Sequence, residues 1–156
     1  YTSAYRHWDM EILGYKANLT DIQAAMLLNQ LNTINEKWQR KEAVCRKYEE
    51  AFSQAGIGFP KVLSGSKSAR HLMTIWVDKR DRVLTELQEA GVGVAVNFRA
   101  VHLLKFYRQA LGYRRGDYPV AEQIGDSTIS LPTYPKLTDD EVDYVIRCVL
   151  KATRKN

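Results

Sequence analysis

Lys16 and Asn18, within the run GYKANLTDIQAA from Gly14 to Ala25, stand just before a helix start and set polar groups at its N-terminus. First-turn N–H groups of a helix lack internal acceptors, and its dipole adds partial positive charge. An anion such as phosphate binds there if both side chains point the same way. An ordinary capped turn accounts for the same residues, and spacing alone favours it. A second cluster, Asn97-Phe98-Arg99-Ala100-Val101-His102, follows an expected strand and enters an expected helix. Strand ends are where α/β folds place ligand-contacting groups. Arg99 offers a planar fork suited to a carboxylate or diphosphate. His102 can donate or accept toward a ligand, and a structural hydrogen bond at a helix start explains it equally well.

Both clusters need elements to hold them. Thr20-Asp21-Ile22-Gln23 fits a capping box, so a helix begins there. Ile22, Ala25, Met26, Leu28, Leu31, Ile34 and Trp38 recur at helical spacing, and Val44, Tyr48 and Phe52 continue the stripe. One long helix is predicted, ended by Gly56, Gly58 and Pro60, with a Gly/Ser-rich loop over 61–68. His71–Asp78 reads as a strand, and Asp81 to Ala90 as a helix stopped by Gly91. Val92–Phe98 reads as a second strand, Val101–Leu111 and Asp117–Ile129 as helices, and Ser130-Leu131-Pro132 as a third short strand. A second capping box, Thr138 to Glu141, opens a last helix with Val142, Val145, Ile146 and Val149 on its apolar stripe. Capping accounts for Asp139, Asp140 and Glu141, so no metal is expected. Strands separated by helices after a long leading helix describe an α/β unit of two or three layers.

A chain of 156 residues has the length of one domain, and 45% hydrophobic with 26% charged residues is enough to bury a core. The net charge of +5 is spread through interleaved basic and acidic residues such as Lys37, Arg40, Lys41, Glu42 and Arg46, a solvated helix face and not a nucleic-acid stripe. Cys45 and Cys148 stand far apart in no metal or disulfide pattern, which suits a reducing cytoplasm. No apolar run reaches the length of a membrane span. The chain opens on Tyr1, and Tyr1 to Asp9 reads as mid-protein sequence, so a fragment of a longer protein is expected.

Four runs occur in order: GYKANLTDIQAA, RHLMTIWVD, GVGVAVNFRAVHLLKFYRQALGY and DYPVAEQIGDSTISLPTYPKLTDDEVDYVI. Together they cover nearly the whole chain, which resembles the C-terminal half of the DegT/DnrJ/EryC1/StrS sugar aminotransferases. Within that family GYKAN and FRAVH look most similar to the UDP-4-amino-4-deoxy-L-arabinose aminotransferases of lipid A modification. The resemblance implies the C-terminal small domain of a fold-type-I aminotransferase dependent on pyridoxal 5'-phosphate, with residues 1–19 as a linker and phosphate-loop segment from the large domain. Residues 20–156 are then the long helix plus the small α/β domain.

It further implies that Lys16 and Asn18 reach the cofactor phosphate of the neighbouring subunit in a homodimer. Arg99 and His102 border the pocket of a nucleotide-linked keto-sugar, with glutamate and 2-oxoglutarate as the donor pair, while Lys105 in KFYR is read as a weak contact to the nucleotide's phosphates, a plain surface lysine being the alternative. The Schiff-base lysine lies upstream in the family and Lys16 is not it, so no catalytic residue is expected here and the segment alone is expected to be inactive. Arg70-His71 occupies the place where the family carries a histidine near the cleft, although a packed strand-start residue explains it. Two other readings follow from the same residues: a family dehydratase, and a non-catalytic dimerisation module.

Overall fold

The computed structural model describes residues 18–154. The chain divides into two units, Tyr1–Ile34 and Asn35–Asn156. The first contains α1 (Asp21–Asn32), opened by the predicted capping box. The Gln23 N–H donates to Thr20 Oγ1 at 3.3 Å while the Thr20 N–H donates to Gln23 Oε1 at 3.1 Å. Ile22, Met26, Leu28 and Leu31 are all exposed, and α1 has no buried residue.

The single long helix predicted from the stripe is instead two, because α1 ends at Asn32 and α2 runs Ile34–Gln54. Thr33 takes φ −111 and ψ 5, and its N–H folds back onto the Gln30 carbonyl. Its hydroxyl meets the Asn29 and Gln30 carbonyls at 3.3 and 3.4 Å. A β-branched residue whose hydroxyl competes for the last carbonyls interrupts a helix without breaking the apolar period.

In the second unit, β1 (Met73–Trp76) pairs antiparallel with β2 (Thr128–Leu131), Met73 opposite Leu131 and Ile75 opposite Ile129. Strand periodicity sends these four side chains to one face. There they meet Val44, Tyr48 and Phe52 of α2, Val83 and Leu87 of α3 (Arg80–Glu89), and Val142, Val145 and Val149 of α6 (Asp139–Arg154), forming one core. The α6 stripe and its capping box stand as predicted, with the Thr138 N–H donating to Glu141 Oε2 at 2.7 Å and the Glu141 N–H to Thr138 Oγ1 at 3.3 Å.

Single bridges extend the sheet on both sides, Gly58 to Trp76 and Ala95 to Ser130. The expected strand Val92–Phe98 is therefore reduced to one rung at Ala95, and the reason lies in its neighbour. Further rungs on that edge of β2 would use Thr128 and Pro132. The Thr128 carbonyl accepts from Arg80, proline has no N–H, and the Pro132 carbonyl accepts from the Tyr48 hydroxyl at 3.2 Å. The remaining differences are of extent. His71–Asp78 narrows to β1, and Asp117–Ile129 resolves into α5 (Pro119–Ser127) followed at once by β2. Val101–Leu111 is a 3-10 turn, Val101–Leu103, separated by extended Leu104 from α4 (Lys105–Leu111).

One polar cluster is buried beside this core. Arg70 is 5% exposed and has φ 48, in the left-handed region that costs a side-chain-bearing residue about 1–2 kcal/mol. Its guanidinium reaches Glu42 Oε2 at 2.5 Å and Glu49 Oε1 at 2.6 Å on α2, which holds the loop before β1 against that helix. His71 next to it is exposed.

Candidate functional site

The segment that carries Arg99, His102 and Lys105 leaves the sheet at Ala95 and passes over α5. Its seat is Gly125. A Cβ at that position would lie 2.5 Å from the Ala100 nitrogen and 3.1 Å from the Arg99 carbonyl carbon, so only glycine admits the backbone this closely. Ala100 is buried by this contact, while Arg99 is exposed.

Two residues further on, His102 turns inward and is 8% exposed. Its Nε2 stands 2.9 Å from Glu122 Oε1, and Glu122 is itself 5% exposed. The same carboxylate accepts the Gly116 N–H at 2.8 and 3.1 Å through its two oxygens, and the Tyr118 N–H at 3.4 Å. Gly116 has φ 101, a left-handed value that lets the turn point its N–H at the carboxylate. Arg115 adds charge at 3.7 Å while it also pairs with Asp126 at 2.8 Å. Burial pushes the Glu122 carboxyl up. The hydrogen bonds from His102, Gly116 and Tyr118 outweigh it and hold the group below the usual carboxylate range. The rings of Tyr118 and Tyr113 stand edge-on to the imidazole, at 4.9 and 6.3 Å between centroids.

Around this buried pair the exposed side chains of the same segment are both basic and apolar, and the exposed Asp126 of α5 lies within electrostatic range of Arg99. Arg99 and Lys105 are exposed, as are Phe98, Val101 and Phe106. Of the three residues assigned to the substrate, two therefore face solvent and His102 is engaged from below by Glu122. The sequence reading missed Glu122 and Gly125. The available signal was an isolated glycine inside a helical pattern, which marks a close backbone approach.

Lys16 and the rest of Gly14–Ala17 lie outside the described residues. Asn18 is exposed, two residues before the Thr20 cap of α1. The capping box satisfies the Gln23 N–H, and no described residue accepts from Asp21 or Ile22, whose N–H groups open the helix. Asp21 in the first turn offsets part of the helix dipole. Among the described residues no group of His, Cys, Asp and Glu is arranged to hold a metal ion, and no helix is long and apolar enough to cross a membrane.

An antiparallel sheet backed by three helices makes a mixed α/β unit, and its likeness to the family and to solved sugar aminotransferases assigns it to the C-terminal small domain of a fold-type-I aminotransferase. The chain belongs to the DegT/DnrJ/EryC1/StrS aminotransferase family, whose profile matches residues 2–150. It is 36% identical over 151 residues to the spore coat polysaccharide biosynthesis protein SpsC of Bacillus subtilis, covering 92% of this chain and 39% of that protein. It is 37% identical over 158 residues to an uncharacterized protein of Methanocaldococcus jannaschii, covering 96% of this chain and 41% of the other.

Among solved structures it matches Spr1654 of Streptococcus pneumoniae, assigned as a sugar aminotransferase and known in a PLP-form, with a TM-score of 0.83 and 31% identity over 94% of this chain and 39% of that one. An aminotransferase of the same family from Brucella abortus matches at a TM-score of 0.79 and 26% identity, covering 96% and 40% of the two chains. The chain thus spans about two fifths of the length of its relatives.

Proposed function

We propose that this chain is the C-terminal part of a pyridoxal-phosphate-dependent aminotransferase that moves an amino group from glutamate to a nucleotide-linked keto-sugar. The observation that carries the reading is the surface over α5, where exposed Arg99 and Lys105 are presented by a segment anchored beneath by Gly125 and the His102–Glu122 pair. A guanidinium and an ammonium on a fixed backbone suit the phosphates of a sugar nucleotide, and exposed Phe98 and Phe106 offer apolar area beside them. Family membership, the sugar aminotransferase assignment of Spr1654 and its PLP-form support the cofactor and the reaction class. The likeness of GYKAN and FRAVH to the aminoarabinose branch supports a UDP-linked sugar in lipopolysaccharide modification.

When bound, the cofactor supplies an electron sink for the amino-carrying carbon. The role proposed for this chain's own residues is to bind and orient. Lys16 and Asn18 hold the phosphate of the cofactor in the neighbouring subunit of a cytoplasmic homodimer, and Arg99 and Lys105 hold the substrate's phosphates. The exposed Ile22, Met26 and Leu31 of α1 support an association surface next to Asn18. The Schiff-base lysine is contributed from outside this chain, which alone is inactive.

The test is direct. The complete protein should retain a visible cofactor absorbance that bleaches on addition of glutamate and returns with a UDP-linked keto-sugar. Asn18→Ala should weaken cofactor retention in pyridoxal phosphate titrations. A complete protein that holds no cofactor, or one whose affinity is unmoved by Asn18→Ala, refutes the respective part.

A further inference from the structure

Between Ala95 and Lys105 the chain is attached to the rest of the fold at few points. Ala95 forms the last rung of the sheet, and Ala100 rests on Gly125. Among the described residues, His102 makes the one side-chain hydrogen bond of residues 96–104, to Glu122. The backbone bonds at the turn, from Leu103 to Ala100 and from Leu104 to Val101, are internal to the segment, and at its far end the Leu104 carbonyl accepts the Arg108 N–H of α4. The same carboxylate gathers the N–H groups of Gly116 and Tyr118. It therefore joins two separate loops, the one bearing Arg99 and the 112–118 turn bearing Arg115, to a single point on α5.

We propose that Glu122, acting through His102, is a positioning residue that fixes the Arg99 segment for the phosphates of the substrate. The inference rests on the reading of Arg99 as a phosphate contact. A buried carboxylate with three hydrogen-bonding partners is costly to leave partly unpaired, so the His102 bond is held closed while the carboxylate stays ionised. Preorganisation of this kind lowers the ordering cost of binding. Its loss falls on the binding of the nucleotide portion, remote from the reacting carbon, and so on KM more than on kcat.

The experiment uses the complete protein with UDP and dTDP as probes in titration calorimetry, and the glutamate half-reaction as a control. Glu122→Ala should raise the Kd of the bound nucleotide about tenfold and leave the rate of the glutamate half-reaction unchanged. Glu122→Gln keeps an oxygen for the Gly116 N–H and an amide that can donate to Nε2 of the alternative imidazole tautomer, so its Kd should stay within about threefold. His102→Phe keeps the ring, removes the bond and should weaken binding like Glu122→Ala; it decides the matter if Glu122→Ala does not fold.

A wild-type Kd in folded Glu122→Ala or His102→Phe, with loss of thermal stability alone, overturns the positioning role. Arg99→Ala separates this from the underlying reading. If Arg99→Ala leaves the Kd unchanged, or if neither nucleotide binds the wild type, the phosphate assignment itself fails and the inference falls with it.

Discussion

Replacing Gly125 by alanine sets two effects of known size against each other. In a helix interior, alanine is favoured over glycine by about 1 kcal/mol because it restricts the unfolded backbone. Here the added methyl would lie 2.5 Å from the Ala100 nitrogen, 3.1 Å from the Arg99 carbonyl carbon and 3.4 Å from the Ala100 Cα, where ordinary contact begins at 3.4 Å. The segment must retreat by about 0.9 Å, and what stands in the way is backbone, with no flexible side chain to swing aside. Overpacking of this kind costs about 1–3 kcal/mol, so the clash outweighs the propensity and the net loss is about 0–2 kcal/mol.

The larger consequence is positional, since Arg99 moves with the peptide that is pushed. A displacement near 1 Å can cost up to about a hundredfold in a site that depends on alignment. Urea denaturation of the complete protein and the KM for a UDP-linked keto-sugar should be measured on Gly125→Ala and the wild type. The expected result is a small fall in midpoint with a KM raised at least severalfold. A variant stabilised by the full propensity gain with unchanged KM would show that the close approach to Arg99 is not what the glycine is for.

Two further outcomes follow from the charges. Arg70→Met leaves the carboxylates of Glu42 and Glu49 facing each other without their common partner, and removal of one member of such a buried cluster costs about 3–5 kcal/mol. Adding Glu42→Gln and Glu49→Gln should restore much of the urea midpoint, and no recovery would refute the electrostatic explanation. Glu42 is held below its ordinary value of 4.5 chiefly by its hydrogen bond to Arg70, and Glu122 is also lowered, by His102 and two backbone donors against its burial. A carboxyl with a lowered folded pKa gives stability that is complete above its unfolded value and is lost as pH falls through the folded one. Urea midpoints should therefore hold from pH 7 to about 5 and fall below pH 4.5, with a shallower fall in Glu122→Gln; equal acid slopes in the variant and wild type would remove Glu122 from that account.

Much of the fold was legible because local chemistry and tertiary packing agree. The capping boxes at Thr20 and Thr138 each satisfy their own backbone donors, and the α6 stripe buries Val142, Val145 and Val149 as its spacing predicts. The breaks were not legible, because each depends on a partner distant in sequence. Nothing local to Val92–Phe98 says that the neighbouring strand offers a single rung, since that depends on Pro132 and on Arg80 reaching the Thr128 carbonyl. The Arg70 cluster was equally hidden, as Glu42 and Glu49 read as two of many acids on a solvated helix until the loop before β1 is folded onto them.

The candidate site was half legible for a sharper reason, which lies in α5. Amphipathic periodicity assumes that the apolar side of a helix faces its own core. In α5 the buried positions are Glu122 and Gly125, while Val120 is 69% exposed and Ile124 41% exposed. The helix presents a carboxylate and a bare backbone inward, where they hold Gly116, His102 and Ala100, and turns valine and isoleucine out. A pattern read for hydrophobicity therefore looks past the two residues on which the Arg99 segment is seated. The apolar residues it does find, Val120 and Ile124, lie exposed within this chain, because the inner side of the helix is given to seating the Arg99 segment.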